Sequence, residues 1–337
     1  GPSPRFRELQ AHARRSGRKT YAKTETSQAI EMWNVPRIPV MHRWAQRYTA
    51  LRDAQLNGVH TAWRFYGFCA QRTDEIVDYF TWAGRPNMDA LLGRMAARDF
   101  GPDAAPHVVA AWRKFSDVFA VFPYSAGLTG FPYWAGPFKI GPAHPFVWDL
   151  TRPHNLSGRF SGVNPGEGEG VYDEDRLDAT IELRYFIDMT WTQPFGAQKL
   201  MPRLHRMDQL WHDGLDELVK PLKKARGVEK KFLQSEIDVS QIIGCMFRTA
   251  RHLLAFQMLR EYVTTRECHL QQLRRSCREA VRILTEEQVN AKIALAAVRR
   301  DPSLGYGATY GYGFDAAMIE EKIAHTQHQI DEAIPGF

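Results

Sequence analysis

Residues 19–36, KTYAKTETSQAIEMWNVP, begin like a short strand and then change to acidic and aromatic residues where a strand would end. Residues 58–67, GVHTAWRFYG, follow the same pattern. Between them, residues 41–55 have the spacing of a helix. This order predicts a β-α-β unit with functional residue types at the carboxyl ends of its strands, where α/β barrels place their active sites.

The predicted fold class is mainly α with a small α/β part. A barrel needs eight β/α units, and the sequence has room for the last two before it becomes helical. Apolar residues recur at three- and four-residue steps along several long segments after residue 173, which predicts an antiparallel helix bundle. The chain begins with Gly1 and not with Met. We interpret Gly1-Pro2 as either a protease scar or the edge of an incomplete gene, and in both cases a truncated N-terminus would account for the missing barrel strands.

Three regions follow from these patterns. Residues 1–122 are expected to hold the C-terminal β/α units of a barrel with flanking helices. Residues 123–172 form a Gly/Pro-rich stretch with many aromatic residues, which predicts an ordered loop packed on a neighbouring surface, because a linker would be polar. Residues 173–337 are expected to form the helical bundle domain.

The overall composition excludes several classes of protein. The chain has 337 residues and a net charge of +6, but residues 176–300 distribute 22 Lys/Arg among 15 Asp/Glu and contain no nucleic-acid-binding motif. No apolar run reaches the roughly 20 residues that a membrane span needs. We therefore expect neither a nucleic-acid nor a membrane partner, and no cofactor. The oligomeric state and the localisation stay open.

The four cysteines have no metal-binding or disulfide spacing, and they are expected to be free thiols, which slightly favours the cytoplasm. Histidine pairs at helical spacing lack a third ligand, so no metal site is predicted. The histidines in question are His205 and His212, and His325 and His328.

The chain resembles the last two β/α units of bacterial glycoside hydrolases that have a hexosaminidase-like or glucuronidase-like barrel. The resemblance rests on the order of Lys23, Glu31, Pro36, Gly58 and Trp63 around the predicted helix. Further similar segments are residues 112–123, 136–145 and 301–306. One segment differs: residues 64–69 read RFYGFC where those relatives have Gly-Gly-Tyr-Pro after the tryptophan.

The resemblance implies hydrolysis of a glycan or small glycoside, with the acid–base carboxylates on the fourth barrel strand, upstream of this sequence. We expect no catalytic residue in this chain, which alone would be inactive. Glycoside hydrolysis needs two carboxyl groups beside the scissile bond, and on an extended strand Glu25 and Glu31 would lie roughly 20 Å apart. Glu31 is therefore predicted to contact a substrate hydroxyl, the alternative being a surface or salt-bridge role, and Glu25 is a second candidate.

The other candidate substrate contacts are aromatic or basic. Trp63 suits the floor of a sugar site because a pyranose stacks on an aromatic face, and the alternative is a core tryptophan in the barrel wall. Trp33 and Tyr66 follow the same argument. Lys23 is predicted to donate to the substrate or to pair with Glu25 or Glu31.

A second hypothesis comes from a different class of protein. The chain would then be a non-catalytic helical interaction module whose short α/β start has a structural role. Under this hypothesis Glu31 and Trp63 are structural, and the aromatic stretch binds a partner. The two hypotheses differ in whether the candidate residues converge at the strand ends.

Overall fold

A computed structural model describes residues 3–24, 35, 37–61, 71–82, 87–124, 137–148, 189–266, 268–307 and 311–335. The chain is mainly helical, with a small parallel pair of strands, which confirms the coarse part of the predicted fold class. None of the helices in these ranges is both long and apolar enough to cross a membrane.

The chain divides into two compact units. The first contains residues 1–29, 37–120 and 213–237, and the second contains residues 30–36, 121–212 and 238–337. The helices are α1 (Pro4–Arg15), α2 (Met41–Asp53), α3 (Arg72–Thr81), α4 (Met88–Phe100), α5 (Ala105–Val121), α6 (Pro137–Ile140), α7 (Ala197–Val219), α8 (Gly227–Thr265), α9 (Leu270–Arg300) and α10 (Ala316–His328). The strands are β1 (Tyr21–Thr24), β2 (Gly58–Thr61), β3 (Tyr306–Gly307) and β4 (Gly311–Tyr312).

The first unit opens with the predicted β-α-β arrangement. Strands β1 and β2 are parallel, with Tyr21 opposite Gly58 and Lys23 opposite His60, and α2 connects them. The side chain of Asn57 sets the start of the pair, because its Oδ1 accepts from the backbone N–H of Thr20 at 2.8 Å. The crossover helix α2 packs against α3.

Helix ends in the first unit follow local sequence signals. Asn87 begins α4 as an N-cap, and its Oδ1 accepts from the backbone N–H of Ala90 at 2.9 Å. Gly101 ends the same helix with φ +87°, a left-handed value that suits glycine.

An aromatic and ionic cluster forms part of the core of the first unit. Trp112 is fully buried, and its indole N–H donates to Oε1 of Glu236 at 2.7 Å. Arg72 donates to the other oxygen of Glu236 at 2.9 Å and lies over the ring of Phe100. The buried carboxylate of Glu236 is thus compensated by two donors, as a buried charge requires.

The second unit is built on long helices and buried aromatic side chains. Trp211 packs edge-on against Phe247, with ring centroids 5.2 Å apart. In the Gly/Pro-rich stretch, the described residues 137–148 contribute core residues: Phe138 and Phe146 are buried, and Phe146 packs edge-on against Phe256. The short strands β3 and β4 pair in antiparallel fashion before α10, which packs against α9.

Candidate functional site

The carboxyl ends of β1 and β2 are the first candidate site. Because the strands are parallel, their last residues, Thr24 and Thr61, lie side by side at the same edge of the sheet. Of the predicted contacts, Lys23 lies within the described residues, on the exposed side of β1 and in register with His60. The others lie outside the described residues: Glu25, Glu31, Trp33, Trp63 and Tyr66.

The two faces of β1 differ sharply in exposure. Ala22 and Thr24 are buried on one face, whereas Tyr21 is 59% exposed and Lys23 is exposed on the other. Gly58 provides space for the Tyr21 ring, since a Cβ on Gly58 would lie 2.9 Å from that ring. The face that carries Lys23 is therefore open beside the strand ends.

A second candidate site, which the sequence analysis did not identify, lies inside the second unit. Glu287 of α9 is fully buried and is contacted by residues from two other helices. His252 of α8 lies with its Nδ1 2.7 Å from Oε2 of Glu287, and Thr249 donates to Oε1 at 2.7 Å. Lys322 of α10, also fully buried, forms an ion pair with Oε1. We call these four residues the buried ionic cluster.

Lys322 has several acceptors. Its Nζ donates to Glu287 and to the backbone oxygen of Pro142 at 2.9 Å, and it lies 5.1 Å from the centre of the Phe146 ring. A buried ammonium keeps its charge when anionic and polar acceptors replace water, so we assign an ionised Lys322–Glu287 pair.

Electrostatics in the buried ionic cluster favour a charged Glu287. Burial raises the pKa of this carboxyl group, but the charge of Lys322 and the hydrogen bond from His252 outweigh burial and lower the pKa to about 2. Burial also lowers the pKa of Lys322, and the Glu287 carboxylate opposes that shift. Because Glu287 is an acceptor, the Nδ1 atom of His252 carries the proton in this arrangement.

The hydrogen-bond network continues from His252 towards α7. The Nη2 group of Arg251 donates to Nε2 of His252 at 3.1 Å, and Nε of Arg251 lies 3.2 Å from Oδ2 of Asp208. Burial raises the pKa of Asp208, but His212, Arg248 and Arg251 outweigh it, so the pKa is lowered and the carboxylate is charged. Arg251 is thereby held between an imidazole and a carboxylate.

A pocket of about 270 Å³ opens beside this network, between α7, α8 and α9. Its polar lining includes Arg251 and His252 of α8 together with Arg282 and Glu286 of α9. Its remaining lining residues are Met201, Pro202, His205, Ala255 and Ile283. The arrangement combines an apolar wall with guanidinium donors, which suits a small ligand that has one polar end.

The histidines considered for metal binding have other contacts. Nδ1 of His212 lies 3.1 Å from Oδ1 of Asp208, and Nε2 of His325 lies 2.9 Å from the backbone oxygen of Phe146. His205 lines the pocket. Within the described residues, no group of three or more His, Cys, Asp or Glu is arranged to hold a metal ion.

The sequence contained a weak signal for the buried ionic cluster. Thr249 and His252 are three residues apart on α8, so they share a face of that helix. Their partner Glu287 is distant in sequence, and Lys322 is further still, so spacing alone does not connect them. Comparisons with protein-family models, with curated proteins and with solved structures found no match to this chain.

Proposed function

We propose that the chain is the C-terminal portion of a glycoside hydrolase that acts on a glycan or small glycoside, and that it contributes substrate contacts from its β-α-β unit. The observation that carries the proposal is the parallel pairing of β1 and β2 through the crossover helix α2. This is the repeating unit of a (β/α) barrel, and barrel enzymes bind their substrates at the carboxyl ends of the strands.

The exposure and the pairing of β1 and β2 support the proposal that the complete sheet has further strands. Parallel sheets are usually covered on both faces and contain more than two strands. Within the described residues, β1 and β2 pair only with each other, and the face with Tyr21 and Lys23 is exposed. An uncovered face next to unpaired strand edges is what an incomplete barrel would present.

The proposal gives each candidate residue a role. Lys23 contacts a hydroxyl or carboxylate group of the substrate, Glu31 contacts a hydroxyl group, and Glu25 is a further polar contact. Trp63 stacks on the sugar ring, with Trp33 and Tyr66 as additional aromatic contacts. The acid–base carboxylates come from other β/α units of the barrel, and the long helices after residue 196 form an antiparallel bundle.

Saccharide binding by the chain tests this proposal. We expect saturation-transfer NMR with a panel of glucose, N-acetylglucosamine, glucuronate and xylose to detect binding of at least one sugar. Trp63→Ala should weaken that binding about fivefold, since loss of a stacking contact costs on the order of 1 kcal/mol. Trp82→Ala is the matched control, because Trp82 is 77% exposed in the same unit and is not among the predicted contacts.

Two results would count against the proposal. One is the absence of saturation transfer to every sugar in the panel. The other is binding that Trp63→Ala and Trp82→Ala affect equally. Either result would favour the alternative, a non-catalytic helical interaction module.

A further inference from the structure

We propose that the pocket between α7, α8 and α9 binds a small organic acid. The carboxylate of the ligand would bind to the guanidinium groups of Arg251 and Arg282, and its apolar body would lie against the wall that includes Met201 and Ile283. This site shares no residue with the β-α-β unit, so the inference does not depend on the proposed glycosidase function.

Arg251 has partners on two sides before any ligand arrives. Its Nη2 donates to His252 of α8, and its Nε lies within ion-pair distance of Asp208 of α7 without forming a hydrogen bond. The remaining nitrogen, Nη1, belongs to the same rigid planar group. A guanidinium whose orientation is already fixed loses little entropy when it binds a carboxylate.

The buried ionic cluster provides the support for this arginine. His252 accepts from Arg251 because its other nitrogen is committed to Glu287, and Glu287 is in turn neutralised by Lys322. Burying charged groups is costly, and replacing a buried ion pair with apolar residues is often neutral or stabilising. A role in positioning Arg251 at the pocket would explain why these charged groups are buried, whereas packing alone would not.

The opposite wall already holds a carboxylate. Arg282 has two carboxylate partners: Glu279 accepts from its Nε at 3.0 Å and from its Nη2 at 2.6 Å, and Glu286 pairs with its Nη1. Oε2 of Glu286 lies 3.5 Å from Nε2 of His252. Both members of the Glu286–Arg282 pair are about half exposed, and such exposed pairs contribute at most about 1 kcal/mol. A ligand carboxylate can therefore take the place of Glu286 on Arg282 at little cost.

The pocket sets the size and charge of the ligand. A volume of about 270 Å³ is below the range of sites for drug-sized molecules, so the ligand is about as large as benzoate. The guanidinium donors of Arg251 and Arg282 favour a ligand that carries an acceptor group. The apolar wall disfavours an inorganic anion, which would bring no apolar surface to bury.

Isothermal titration calorimetry of the full chain with sodium benzoate tests the proposal. We expect saturable binding, and at least tenfold weaker binding of benzamide, the neutral analogue of benzoate. Arg282→Gln should weaken benzoate binding about 10- to 100-fold, because it removes a charge-assisted hydrogen bond. Glu286→Gln should strengthen binding several-fold, because it removes the competing carboxylate.

Arg299→Gln is the matched control. Arg299 is an exposed arginine on the same helix, paired with Glu320 and distant from the pocket lining, so benzoate affinity should not change. All three substitutions are at exposed side chains, so the variants should fold.

The proposal is overturned if benzoate and benzamide bind equally, if benzoate does not bind, or if Arg282→Gln and Glu286→Gln change affinity in the same direction. None of these outcomes bears on saccharide binding at the strand ends. A failed benzoate titration is thus distinguishable from a failed saccharide titration.

Discussion

Lys322 of α10 and Glu287 of α9 form an ion pair in which both side chains are 0% exposed. Each of these charges depends on the other, because both groups are buried away from solvent and would be left uncompensated without the partner. Thr249, His252 and Asn290 also donate hydrogen bonds to the Glu287 carboxylate.

Glu287→Gln should strongly destabilise the chain. We expect a loss of about 3–5 kcal/mol in the free energy of unfolding, since the ammonium of Lys322 would stay buried without its carboxylate. Urea denaturation followed by circular dichroism measures this loss. Glu279→Gln is the control, because Glu279 is 43% exposed in its ion pair, and its loss should stay within about 1 kcal/mol.

A double variant tests whether the unpaired charge of Lys322 causes the loss of stability in Glu287→Gln. Glu287→Met combined with Lys322→Met should recover much of the stability that Glu287→Gln loses, because it removes both charges. Equal urea midpoints for Glu287→Gln and the wild type would show that the pair is not ionised in the folded chain.

Stability should also fall between pH 6.5 and pH 4 because of His144. This side chain is fully buried, and burial lowers its pKa from 6.5 to about 4. The folded state therefore favours the neutral imidazole. The stability that the buried neutral imidazole contributes is fully present above the pKa of His144 in the unfolded state. It is lost as the pH falls towards the pKa in the folded state. The difference corresponds to about 3 kcal/mol.

Urea denaturation of the wild type and of His144→Gln at several pH values within that window measures the effect. Between pH 6.5 and pH 4, the free energy of unfolding of the wild type should fall by about 3 kcal/mol more than that of the variant. His42 and Glu287 titrate in both proteins, so the difference between the two curves isolates His144. Parallel curves would contradict the assignment.

Two glycines in helices should respond oppositely to substitution by alanine. Gly93 lies within α4, and a Cβ there would meet nothing within 4 Å, so Gly93→Ala should stabilise the chain by about 0.5–1 kcal/mol. A Cβ on Gly214 of α7 would lie 2.4 Å from the ring of Phe115, so Gly214→Ala should destabilise it by about 1–3 kcal/mol. Thermal unfolding midpoints that move in the same direction would contradict this account of the packing.

The sequence predicted the local elements well because their signals are local. The strand–helix–strand order at residues 21–61 follows from short apolar segments separated by an amphipathic one. Asn87 and Gly101 mark the two ends of α4 through capping chemistry that depends on a few neighbouring residues.

Local sequence signals do not predict the buried ionic cluster. Glu286 and Glu287 are adjacent and identical in type, yet Glu286 has a 45% exposed side chain and Glu287 has none exposed. The difference arises from the packing of α8, α9 and α10 around Glu287. In the sequence, both residues resemble the solvated face of a helix.

The most direct test of the proposed function is the indole N–H resonance of Trp63 in the ¹⁵N-labelled chain. The resonance can be assigned by its loss in Trp63→Phe. On addition of the best-binding saccharide we expect it to shift in a saturable way. The resonances of Trp112 and Trp211, which are fully buried, should stay in place. A saccharide titration that leaves the Trp63 resonance unchanged would contradict a sugar site at the carboxyl ends of β1 and β2.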